Sequence, residues 1–348
     1  MNTKLKNFIS DLFTVSKLTR TKNKKLSIGA LALVLNLLIL SDILIILFFT
    51  KLFSDEIGIT NSFIDLILSF KLLFPVAVFS RFFLNYIQVW LTTKLQLDIE
   101  NNLRIHLLEE IFRKGNYSIS DAYFYVNTIS SQVGYFYSTL ALFLGSLLQI
   151  IIFTVYLIFT NPVVVMYFGL GAVILSMPTL LLTKIGRKHA HEAYLSLEQS
   201  SKRVEKVLDN LFLIKIVNYV SKEINSYKLI LEKYAKSRFN EVKAGTVNAL
   251  LPNFFTVFGL SVLLIFFNGL KYVTCDFIGI LLRLFQSLGI FNKNIHILTA
   301  FHVYIEKLFE IESNRGMENS KNYIVGKNQK DSDFAIKIEN VEFKYFNS

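Results

Sequence analysis

Cys275 is the only cysteine in 348 residues, which excludes an intrachain disulfide and a cysteine-based zinc site. Charge is scarce: 18% of residues are Asp, Glu, Lys or Arg, against about a quarter in soluble domains. No G-x-x-x-x-G-K-[ST] loop is present, and Gly326-Lys327-Asn328 lacks both the upstream glycine and the hydroxyl residue that would hold magnesium. The sequence therefore contains nothing that cradles phosphates or hydrolyses ATP. The five histidines (106, 189, 191, 296 and 302) have no carboxylate at metal-ligand spacing, and read as residues of polar helix faces. Helix breakers are also missing over long stretches. Residues 63–114 contain no glycine and only Pro75, and residues 183–249 contain no proline.

What is present is apolar. Hydrophobic residues make up 53% of the chain, and mean hydropathy is +0.45. Six apolar windows lie near 26–49, 65–91, 136–160, 162–183, 247–268 and 277–300. Each approximates the ~20 residues that cross ~30 Å of hydrocarbon. The sixth is interrupted by Arg283, Gln286, Asn292, Lys293 and His296. The net charge of +11 sits before the first window and between window pairs, the pattern of cytoplasmic loops facing anionic lipid; it does not indicate nucleic acid. An even count of spans puts both termini on one side, cytoplasmic by the basic N-terminus, in the inner (plasma) membrane. The first run is too long for a cleaved signal. Before it, Phe8, Leu12, Val15 and Leu18 recur at helical spacing, suggesting an amphipathic segment within 1–25 that lies on the inner leaflet.

Loop lengths are asymmetric. The outer connections are short, whereas the inner ones keep helical periodicity through polar sequence, with Leu95, Ile99, Leu103, Leu107 and Ile111 on one face. Helices are therefore expected to end near 114, 208 and 312, well beyond the membrane. Each inner hairpin has a break suited to a short crosswise helix, at 114–121 and at 209–218. Residues 314–333 are polar with Gly316 and Gly326 and read as a linker. After it, Ile336, Ile338, Val341 and Phe343 alternate with polar residues, as in a half-buried strand.

This order of features resembles the transmembrane domain of a type I (exporter-type) ABC transporter. The stretches that carry the resemblance are Gly186-Arg187-Lys188 through Leu211-Phe212-Leu213-Ile214-Lys215 to Lys222-Glu223, then Phe301 to Glu312, then Ile338 to Tyr345. The resemblance implies an all-α membrane fold with a six-helix domain over 26–313 whose helices extend into the cytoplasm. Residues 334–348 would be the beginning of a nucleotide-binding domain, represented by its first strand. In the complete protein Tyr345 would stack on the adenine of ATP, with Mg bound alongside. Two coupling helices would dock that domain through Tyr117 and Asp121 in the first hairpin and through Leu211, Phe212, Ile214 and Lys215 in the second. The segment from Gly115 to Asp121 is a few residues short of the family pattern.

Ionisable residues inside spans are functional candidates by default, because each costs about 2.5–3.5 kcal/mol on insertion scales. Asp42 lies in the first window, Arg81 with Asn85 in the second and Arg283 in the sixth. Either Asp42 pairs with one arginine to stabilise the bundle or Arg283 snorkels to the outer interface, or the arginines line a substrate path and grip a phosphate headgroup, since guanidinium binds phosphate bidentately. The expected function is the membrane half of an ATP-driven exporter or flippase, acting as a homodimer or paired half-transporter on a lipid-linked or amphipathic substrate. The alternatives are a non-transporting membrane scaffold or sensor whose stalks dock a partner, and an inactive fragment.

Overall fold

The computed structural model of the chain describes residues 24–53, 70, 73–114, 117–266 and 274–313. All regular structure among them is helical: α1 (Lys24–Phe53), α2 (Leu73–Lys114), α3 (Ile119–Tyr123), a π-helical turn (Phe124–Ile129), α4 (Ser130–Thr160), α5 (Pro162–Asp209), α6 (Leu211–Ile216), α7 (Val220–Phe266) and α8 (Cys275–Ser313). Six helical stretches, namely α1, α2, α3–α4, α5, α7 and α8, are long and apolar enough to cross a membrane. The long helices end at Lys114, Asp209 and Ser313, within one residue of the ends expected from periodicity. The N-terminal amphipathic segment, the linker and the strand around Val341 lie outside the described residues.

The 48 residues of α5 and 47 of α7 would each extend about 70 Å at 1.5 Å per residue, roughly twice the hydrocarbon thickness. Pro162 opens α5 directly after Asn161; at a first helical position its missing N–H costs nothing. Pro178 and Pro252 lie inside α5 and α7, where each removes one backbone hydrogen bond.

The core of the spans is built by α1, α4, α7 and α8. Ile39, Phe153, Leu157, Leu260, Phe277, Ile280, Leu281, Leu284 and Phe285 form one buried cluster. Half of the apolar span of α1 is buried, but none of those of α2 and α5. Their side chains, among them Phe79, Phe82, Met166 and Met177, point outward, as suits helices surrounded by lipid, where burial against protein brings no hydrophobic gain. Past the apolar window α2 reverses this pattern. Leu95, Ile99, Leu103 and Leu107 are all buried, so the stripe expected from the sequence packs inward. There α2 runs close to α4: a Cβ on Gly134 would lie 2.9 Å from the Gln96 carbonyl oxygen, so a larger residue would push the two helices apart.

Polar rungs tie α5 to α7 along their length. Asn248 Nδ2 donates to Thr183 Oγ1 at 3.2 Å, Ser200 Oγ donates to Tyr227 OH at 3.1 Å, and Arg203 meets Glu223 at 2.5 Å.

Candidate functional site

Three groups of candidate side chains stand out: a charged cluster within the spans, a histidine clamp beyond it, and the tips at the polar end of the bundle.

Asp42 on α1 is shared by two arginines. Arg81 Nε on α2 donates to Asp42 Oδ1, and an Arg283 amino group on α8 lies 3.8 Å from the same oxygen. The carboxylate is nearly buried while both guanidinium groups stay about one-third exposed. One anion between two cations leaves a net positive charge in an apolar bundle, where a charge interacts far more strongly than in water. Arg283 is held further by Gln286, which accepts from it at 3.1 Å. Ser287 Oγ donates to Gln149 Oε1 of α4 at 3.2 Å, extending the polar cluster across the bundle. Asn85 lies one turn beyond Arg81 on α2 and is exposed. The sequence offered pairing with one arginine as the bland alternative; the geometry joins Asp42 to both.

His296 on α8 is buried, as is His106 on α2, which corrects the assignment of the histidines to polar faces. A periodicity argument fails here because the polar stripe of α8 itself faces its neighbours. The imidazole of His296 fits between Gly186 of α5 and Gly245 of α7, where a Cβ on either glycine would overlap the ring. Its Nε2 lies 3.0 Å from the Glu241 carbonyl oxygen, which can only accept, so Nε2 carries a proton and donates it there. Two other histidines have nearby carboxylates, His189 with Glu192 at 3.1 Å and His302 with Glu306 at 2.9 Å. These pairs correct the expectation that no histidine has a carboxylate at ligand spacing; in a sequence, i,i+3 and i,i+4 pairs look like those of any solvated helix face. No group of three or more potential metal ligands occurs among the described residues.

At the polar end α3 starts at Ser118, whose hydroxyl caps the helix by accepting from the Asp121 N–H at 3.1 Å. It is fastened to α5 by the Ser120 N–H, which donates to Glu205 at 3.1 Å, and by Lys202, 3.5 Å from Asp121. Tyr117 packs edge-on against Tyr125 with centroids 5.7 Å apart. The π-helical turn that follows places Phe124 in the interior, edge-on to Tyr194 of α5. Such turns are frequent at functional sites, and no sequence signal announced this one.

The other tip is α6. It ends in a Schellman turn: Tyr219 N–H donates to the Ile214 carbonyl and Asn218 N–H to that of Lys215, at 2.9 and 3.2 Å, with Asn218 at φ 52°. Asparagine tolerates this left-handed conformation better than other non-glycine residues. Leu211, Phe212, Lys215 and Ile216 are exposed, Phe212 by 79%, and Ile214 is half-buried. Tyr345 lies outside the described residues.

The sequence matches no protein-family model and no curated protein.

Proposed function

We propose that the chain forms the transmembrane half of an ATP-driven exporter or flippase of the type I ABC kind, with its polar helix ends in the cytoplasm. It would act as a dimer, and the complete protein would bind ATP and Mg in nucleotide-binding domains. The observation that carries this reading is the α6 tip. Two helices of 48 and 47 residues lead to a six-residue helix whose apolar side chains face outward. Exposed apolar side chains grouped at a polar extremity mark an interaction surface. Within the spans, the Asp42–Arg81–Arg283 cluster supports a path for a substrate with a negatively charged group. ATP binding would push on α6 and α3, and the long helices would carry that movement to the cluster, opening it to one side of the membrane and then the other. Asn85 would add a hydrogen bond along the path.

Alternating access is tested in native membrane vesicles, using single cysteines placed beside Asp42 and Arg283 in a Cys275→Ser background. A membrane-impermeant maleimide should label them at a rate that ATP with Mg changes in opposite directions from the two faces. Labelling indifferent to ATP would reject transport and favour a scaffold that docks a partner through the same α6 surface.

A further inference from the structure

Around the polar ends of the second, third and fifth apolar windows and within the interrupted sixth, α2, α4, α7 and α8 line a cavity of about 530 Å³, separate from the Asp42 cluster. Lys293 follows Arg283 by ten positions on α8, about 15 Å along the helix.

Its charges do not cancel. Arg238 is neutralised by Glu241, whose two oxygens both lie 2.6 Å from the guanidinium. Lys293 also lines the cavity, yet among the described residues no carboxylate comes within ion-pair distance of it. Gln96, Ser131 and Gln132 add neutral hydrogen-bonding groups. One side is apolar and open, formed by Val242 and Leu250, which are 50% and 58% exposed.

A lone cation, several hydrogen-bond donors and an exposed apolar wall, where apolar windows give way to polar sequence, match a molecule whose charged head sits at the membrane interface and whose chain lies in the hydrocarbon. Basic pockets between transmembrane helices hold anionic headgroups in this way. We propose that this cavity binds an amphiphile with an anionic headgroup, Lys293 pairing with the anion while Gln96 and Gln132 hydrogen-bond to it. Calling that amphiphile the cargo rests on the transport reading above; its binding does not.

The test is calorimetric titration of the protein in phosphatidylcholine nanodiscs, corrected for empty discs, with dodecyl phosphate, inorganic phosphate and dodecyl maltoside. Dodecyl phosphate should bind saturably, and at least tenfold more tightly than either the headgroup alone or the neutral amphiphile. Lys293→Gln should weaken it at least tenfold and Lys293→Arg should preserve it. Thr246→Trp, which fills the cavity, should weaken it as well. Equal affinity for dodecyl maltoside, equal affinity for inorganic phosphate, or an unchanged affinity in Lys293→Gln would each overturn the proposal. The assay needs no ATP. Unchanged Lys293→Gln binding in a protein with ATP-dependent maleimide labelling rejects this site alone. Lys293-dependent binding in a protein indifferent to ATP rejects transport and leaves the site.

Discussion

Glu205 on α5 accepts a hydrogen bond from the backbone N–H of Ser120, which lies 85 residues earlier in the chain, at 3.1 Å. The bond joins the two tips of the polar end: Ser120 belongs to α3, and Glu205 stands one turn before α5 gives way to α6. A force applied at either tip therefore reaches α5.

Glu205→Ala should release α3 while the bundle stays folded. Amide hydrogen exchange at residues 119–124 should speed up, with little change in the buried stretch 95–107 of α2. Glu205→Gln keeps an acceptor and should fall between the two. Uniform exchange in all three proteins would mean that the contact does not hold α3.

Asp42→Leu should be the most damaging single change within the spans, because it strands Arg81 and Arg283 together without their shared anion. Removing one partner of a fully buried pair costs about 3–5 kcal/mol, an upper bound here because both guanidinium groups stay about one-third exposed. Adding Arg81→Leu should recover part of that loss, visible as a higher midpoint in thermal unfolding of the detergent-solubilised protein. A double variant no more stable than Asp42→Leu would show that the pair is not coupled.

Gly186→Ala and Gly245→Ala should each destabilise the chain although alanine is the better helix former by roughly 1 kcal/mol. The new methyl would overlap the His296 ring, and overpacking of that kind costs about 1–3 kcal/mol. Shrinking the ring in the same molecule, with His296→Ser, should remove the penalty. Additive effects in this cycle would argue against the clamp.

Phe212→Glu should leave the midpoint of unfolding within the small range expected of an exposed site, about ±0.5 kcal/mol in stability. In native membranes it should abolish the ATP-dependent change in maleimide labelling beside Asp42. Normal ATP response in this variant would remove α6 from the coupling path.

The sequence determined the number of spans, their approximate limits and the length of their extensions. Apolar runs and the absence of proline act locally, and each helix satisfies its own backbone whatever lies beside it. For the same reason the stripe Leu95, Ile99, Leu103 and Leu107 was legible on α2, and both short tip helices fell at the breaks in periodicity. The candidate site was only half legible. Asp42, Arg81 and Arg283 stood out because charge inside an apolar window is costly, yet nothing in their spacing says that one carboxylate serves both arginines. The clamp around His296 was invisible, since Gly186, Gly245 and His296 come from three helices and no local pattern links them. The cavity near Lys293 was equally hidden, because its walls come from four helices. Those arrangements were decided by tertiary packing, where the rotation of one helix against another chooses which polar group finds a partner and which is left facing a cavity.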